Sequence, residues 1–277
     1  MTNVEPIPEL IVSGGTLLTA DPETPYLEKG WINISAGRIT AIQDTAPDHI
    51  HRGTKVIDAT GYVVTPGFVN VHTHAILSMV RGVAEDMGFA PAYTIGVPHG
   101  HDPTPDEAYA MAQLGGLEAL CFGTTTINDS YCHQNVALSA MAETGIRAFG
   151  CGRIHDVDFT RVHLGEWNYD PKIGEQTLAD AADLISKYHD PVGLRTGVVL
   201  APHAPDTCTP DLLRQVRQMR DDTGLRINTH VSQSRVEVDF IRDRDGMSPP
   251  ELLEEVGLLD DRLIGAHCIH VSDTDIE

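Results

Sequence analysis

From Val63 onward, short apolar runs of strand character alternate with segments of helical length, and this alternation constrains the fold more than any other feature. The runs are VVTPGFVNVHTH, TTTINDS, AFGCGRIHD, GLRTGVVLAPHAP, RINTHVSQ and LIGAHCIHV. Continuously apolar strands separated by helices belong to a parallel sheet covered on both faces. The segments between them carry helix-start signals. Thr104-Pro105-Asp106-Glu107 and Ser248-Pro249-Pro250-Glu251 are capping boxes with proline at the first helical position. After the first box, Ala110, Leu114, Leu117 and Cys121 form a stripe expected to face the core. After Thr209, Leu212, Val216 and Met219 do the same, as do Leu252, Leu253 and Val256 after Ser248.

Counted this way, residues 65–277 hold about six βα units of a TIM (β/α)8 barrel, two short of the full set and below the ~250 residues typical of one. The closing Ser272-Asp273-Thr274-Asp275-Ile276-Glu277 has the character of a helix N-terminus. Residues 1–64 are different. LIVSGGTLLTA, WINISAGRITAIQD and TKVIDATGYVV are rich in β-formers and punctuated by Gly14-Gly15, Ala36-Gly37 and Thr60-Gly61. A small antiparallel module is expected there, half of a composite β-sandwich with exposed apolar edges. Such edges would make an isolated 277-residue product poorly soluble.

The formal charge of −21 argues against a nucleic-acid partner. MTNVEPIPEL lacks the basic start and apolar run of a signal peptide, and no stretch approaches the ~20 apolar residues of a membrane span. Five cysteines, scattered and without CxxC spacing, form no disulfide framework and no thiolate zinc site. A cytoplasmic setting is the corresponding expectation.

Histidine is the outlier, with 14 copies. His72 and His74 stand two apart on one strand, so both rings point the same way, ~6–7 Å apart, and can converge on one ion. The HxH pattern alone is weak, because His49-x-His51 and His99-Gly100-His101 repeat it in polar or Pro/Gly-rich loops, where solvated side chains are expected. Position separates them. His72/His74, His203, His230 and His267 all fall where a barrel strand ends, the rim at which barrel enzymes carry their chemistry. His155 follows this pattern less tightly and is kept as a pocket residue, whereas His270 is read as structural.

Together VVTPGFVNVHTH, MVRGVAEDM, FGTTTINDSY, LAPHAPDTCT, NTHVSQ and LLDDRLIGAHCIH resemble the amidohydrolase superfamily. The branch is that of cytosine deaminase, adenosylhomocysteine deaminase and triazine chlorohydrolase-like enzymes, and the chain resembles their N-terminal portion. The resemblance implies His72, His74 and His230 as metal ligands, with His267 as ligand or contact to the metal's water and hence catalytic. It also implies His203 and His155 in the substrate pocket. Neutral imidazoles leave an ion acidic enough to bring a water's pKa towards about 7. The fourth strand has no lysine for a carbamate bridge, so one divalent ion is expected, zinc or alternatively iron.

Two departures qualify the resemblance. The metal-activating aspartate of the family's eighth strand lies beyond these residues, so the chain as given is expected to be a poor catalyst. And Gln233 stands where the deaminase branch carries a proton-shuttling glutamate. An amide orients a substrate but cannot relay a proton; Glu237, one turn further on, is the conceivable substitute. The resulting expectation is hydrolysis of a carbon–nitrogen bond in a small N-heterocyclic substrate, with Gln233 in a catalytic or orienting role. The alternatives are a cyclic amide, amidine or carbon–halogen hydrolase, or a non-catalytic truncated relative. Homo-oligomers are common in the family, and no membrane partner is expected.

Overall fold

A computed structural model of the chain describes residues 7–82, 103–189 and 195–277, and divides it into two compact units, Met1–Gly67 and Phe68–Glu277. The first unit is a five-stranded sheet: β1 (Leu10–Leu18), β2 (Tyr26–Ser35), β3 (Arg38–Gln43), β4 (Lys55–Asp58) and β5 (Val63–Val64). Ala36 and Gly37 both take positive φ, which makes the two-residue turn that joins β2 to β3. The sheet is mixed, not purely antiparallel as the sequence suggested. β4 and β5 both pair parallel to β1, because the chain after β3 crosses back to β1's other edge before pairing. A Cβ at Gly15 would stand 2.9 Å from the side chains of Ala59 and Val64, so glycine permits that close return. Ile11 and Leu17 are buried, whereas Ile39, Ile57, Tyr62 and Val63 are exposed.

The second unit is α/β. Its strands are β6 (Phe68–Thr73), β7 (Thr124–Tyr131), β8 (Arg147–Ile154), the short pair β9 (Thr196–Val198) and β10 (Ala201–Pro202), β11 (Ile227–Val231) and β12 (Leu263–His267). Every pairing among them is parallel: β6 to β7, β7 to β8, β8 to β9 and β10, and β11 to β12. A parallel bridge from Leu200 to Ile227 continues the series to β11. The six predicted runs thus appear in order, the fourth broken into two pieces at Val199 and Leu200.

A 3-10 turn (Ala75–Val80) and α1 (Pro105–Cys121) follow β6, and α2 (Gln134–Glu143) follows β7. After β8 come α3 (Phe159–Val162) and α4 (Pro171–Tyr188), and after β10 comes α5 (Pro210–Thr223). The remaining helices are α6 (Arg235–Asp245), α7 (Pro249–Glu255) and α8 (Asp273–Ile276). Both predicted capping boxes form, at Thr104 and Ser248. The main core lies between β8–β11 and α4–α7, around Leu184, Leu213, Val216, Ile227 and Leu253.

Two expectations about burial are corrected. The stripe Ala110, Leu114, Leu117 and Cys121 of α1 faces outward; Ala108, Ala112 and Gly116 are buried instead. Small residues let α1 approach α2 and the 3-10 turn, where a Cβ at Gly115 would lie 2.9 Å from that of Ala75. Nor is β6 covered on both faces. Phe68, Val69 and Val71 are exposed, and β7 is the one strand paired with β6 among the described residues.

Candidate metal centre

Three histidines at the parallel strands' ends are each positioned by their own strand and oriented by a group on, or just after, another. His72 and His74 leave the end of β6 with ring centroids 4.8 Å apart, and His230 projects from near the C-terminal end of β11. One ring nitrogen from each of these three lies within 4.8 Å of the others, a group that could hold a metal ion.

The hydrogen bonds show which nitrogens converge. His74 Nδ1 donates to the carbonyl of Ser130 at 2.6 Å, and His230 Nδ1 donates to the carbonyl of His203. His72 Nδ1 donates to Asn228 Oδ1 at 3.2 Å. With every Nδ1 so engaged, the three Nε2 atoms are left as acceptors. His74 Nε2 and His230 Nε2 stand 3.2 Å apart, and His72 Nε2 is buried without a hydrogen-bond partner. Facing lone pairs in a buried site fit a cation. Burial, and then the neighbouring imidazoles, hold His230 far below the usual histidine range and bring His74 to about 3. Burial likewise lowers His72. The rings are therefore neutral at pH 7, the state a metal ligand requires.

The other predicted residues gather around this trio. His267 stacks on His230 at 5.2 Å and lies 5.3 Å from His72, outside the tight group of three. It has positive φ, as do Cys268 and Ser232, conformations non-glycine residues seldom adopt and which accumulate at functional sites. His203 is buried 4.7 Å from His230. Thr207 Oγ1 donates to the Ala204 carbonyl and accepts from His203 Nδ1, so His203 also presents Nε2 as an acceptor. His155 lines a cavity with Tyr131, Arg153 and Thr177 and packs edge-on to Phe159 at 4.6 Å. His270 donates its backbone N–H to Ser232.

Gln233 is half-buried in the turn after β11, its backbone N–H bonded to Glu237 Oε2 at 2.8 Å. Glu237 is fully buried and also accepts from the Ser232 N–H, so its carboxylate is engaged with the turn's own backbone. Burial and the charge of Asp206 raise it to about 8. His49 and His51 are exposed in the first unit. His99, His101 and positions 83–87 of MVRGVAEDM lie outside the described residues, as do Gly193 and Leu194 of the fourth strand.

Sequence reasoning missed three contributors. Asn228 precedes His230 by two residues on the same strand, so period-two alternation places it on the same face. Asp129 is a fully buried carboxylate that accepts from the Ala75 N–H at 2.6 Å and from Gln134, fixing the turn that follows His74. Arg153, a cation within an apolar strand, lies 3.9 Å from the ring centroid of Phe159 and 5.0 Å from that of Tyr131. Its field also disfavours protonation of His74 and His203.

Residues 63–277 match the model of the amidohydrolase family, and the chain belongs to that family. It is 33% identical over 250 residues to a 5-methylthioadenosine/S-adenosylhomocysteine deaminase of Desulforudis audaxviator, covering 90% of this chain and 55% of that protein. A 5'-deoxyadenosine deaminase of Methanosarcina barkeri is 30% identical, over 97% of this chain and 59% of its own length. The chain thus spans somewhat over half the length of these curated relatives. An adenosine deaminase structure from Xanthomonas campestris with bound zinc superposes with a TM-score of 0.78 at 25% identity, covering 97% of this chain and 60% of that one. The atrazine chlorohydrolase of Arthrobacter aurescens, complexed with zinc, shares the fold with a TM-score of 0.80 at 21% identity, over 96% and 62% of the two chains.

Proposed function

We propose that this chain carries the metal centre of a hydrolase that cleaves non-peptide carbon–nitrogen bonds, releasing ammonia from an amino-substituted N-heterocycle of the purine type. The observation that carries this reading is the convergence of three bare Nε2 atoms, with His203 and His267 packed against His230. Relatives named as adenosine-type deaminases favour the purine class. His72, His74 and His230 hold one divalent ion, and zinc, present in the solved neighbours, is favoured over iron. When bound, the ion supplies the Lewis acidity that makes water nucleophilic near neutral pH. His267 lies beside two of these ligands, where it can orient the water. His203 offers an acceptor to the substrate, and His155 lines the pocket behind it. Gln233 orients the heterocycle by hydrogen bonding, because its amide cannot relay a proton.

In this reading β6–β12 are consecutive strands of a (β/α)8 barrel, and the exposed edge of β6 is the surface that barrel closure would cover. Residues 1–64 are the β module, half of a composite sandwich, and 65–277 the barrel domain. No helix among the described residues is long and apolar enough to cross a membrane. The scattered cysteines favour a cytoplasmic setting.

Because Gln233 replaces an acid, a second reading is kept: displacement of halide, or opening of a cyclic amide or amidine. The zinc-loaded protein is to be incubated with adenosine-type nucleosides and with chloro- and aminotriazines while ammonia and chloride are assayed. Slow release of ammonia from the nucleosides, above that given by zinc alone, is the expected result. Chloride without ammonia would transfer the assignment to the second reading, and zinc binding with neither product would favour a non-catalytic relative.

A further inference from the structure

The three Nε2 acceptors are not secured in the same way. For His74 and His230 the partner of Nδ1 is a backbone carbonyl, of Ser130 and His203. A carbonyl can only accept, so in the neutral ring the proton sits on Nδ1, and no side-chain substitution at the partner changes that. For His72 the partner is the side chain of Asn228, a group that could donate or accept according to which way its amide faces.

The amide is keyed by its other end. Asn228 Nδ2 donates to the backbone carbonyl of Val71 at 2.6 Å. Since that carbonyl can only accept, nitrogen faces Val71 and oxygen faces His72. Asn228 is 3% exposed, so water does not compete for either bond. His72 Nδ1 must then carry the proton, and Nε2, buried and without a hydrogen-bond partner, is the bare atom.

We infer that Asn228 is a positioning residue that locks His72 in the Nδ1–H tautomer, making His72 the one member of the trio whose readiness for a metal depends on a side chain. This inference rests on the proposed reading of the trio as metal ligands, but the tautomer it assigns is observable without metal. Nothing in the lock requires Asn228 to touch substrate. The residue links β11 to the end of β6 and so couples the two strands that supply the ligands.

The test begins with side-chain 15N NMR of the metal-free protein at about pH 8, where His72 is neutral. The Nδ1–H tautomer is expected for His72, and an Nε2–H signal would overturn the inference with no variant needed. Asn228→Leu, which keeps the branched skeleton but has no acceptor, should release His72 to populate Nε2–H. It should also weaken zinc binding by ~10–100-fold, the range usual for loss of a ligand's supporting partner. Asn228→Asp, which still accepts from Nδ1, should keep the tautomer and bind zinc more tightly than the leucine variant. Amide spectra establish that each variant is folded. Wild-type tautomer and zinc affinity in a folded leucine variant would refute the role of Asn228. Absence of zinc binding by wild type, with the Nδ1–H tautomer present, would refute the metal reading and leave the tautomer assignment standing.

Discussion

The two strands that deliver the histidine trio differ sharply. β11 is buried at all five positions, its Ile227 packed in the main core. β6 is exposed over Phe68–Val71 and becomes half-buried only at His72 and Thr73. Yet the imidazoles from both converge within hydrogen-bonding range. The difference teaches that the centre is held at its tips rather than by the depth of its strands. His74 is held by Ser130, His72 by Asn228 and His230 by His203. The turns that follow are held in parallel fashion. Asp129 takes the Ala75 N–H after β6, and Glu237 takes the Ser232 and Gln233 N–H groups after β11.

The largest expected effect separates the strands by packing. Ile227→Ala should cost about 2–5 kcal/mol in urea unfolding, because a fully buried side chain leaves a cavity that its surroundings cannot fill. A cost below about 1 kcal/mol would mean that β11 is not packed as closely as its burial implies.

The next prediction compares the two carboxylate anchors. Burial raises Asp129 to about 6 and Glu237 to about 8, in each case above the unfolded value. The folded chain then binds a proton more tightly than the unfolded chain, so stability falls as pH rises across that interval. Relative to Asp129→Asn, wild type should lose stability between pH 3.8 and about 6. Relative to Glu237→Gln, it should do so between pH 4.5 and about 8. Unfolding at several pH values checks this, and differences that stay constant with pH would show that neither carboxyl is raised.

The smallest effect is expected on the exposed strand. Val69→Ala should change stability by no more than about 0.5 kcal/mol, since Val69 is 61% exposed. A loss approaching that of Ile227→Ala would show that β6 is covered in solution and would abolish the contrast.

Much of this was legible in the residues themselves. Apolar runs alternating with capped helices specify parallel strands in order, because strand and helix periodicities and cap chemistry are local properties. The histidines at strand ends were legible for the same reason, as position along a strand decides which end of the sheet a side chain reaches. The stripe on α1 was misread because Leu114 and Leu117 have helical spacing whether a core or solvent lies opposite. Only the approach of α2 and the 3-10 turn selected Ala108, Ala112 and Gly116 for burial. Nor could the partners of Nδ1 be read, because Asn228 and His72 are separated by 156 residues and Ser130 and His74 by 56. The sequence by itself determined the order of elements and the supply of imidazoles at one rim. Tertiary structure alone decided which nitrogen each imidazole presents, since a tautomer is chosen by the one acceptor that reaches the ring, and chain folding brings it there.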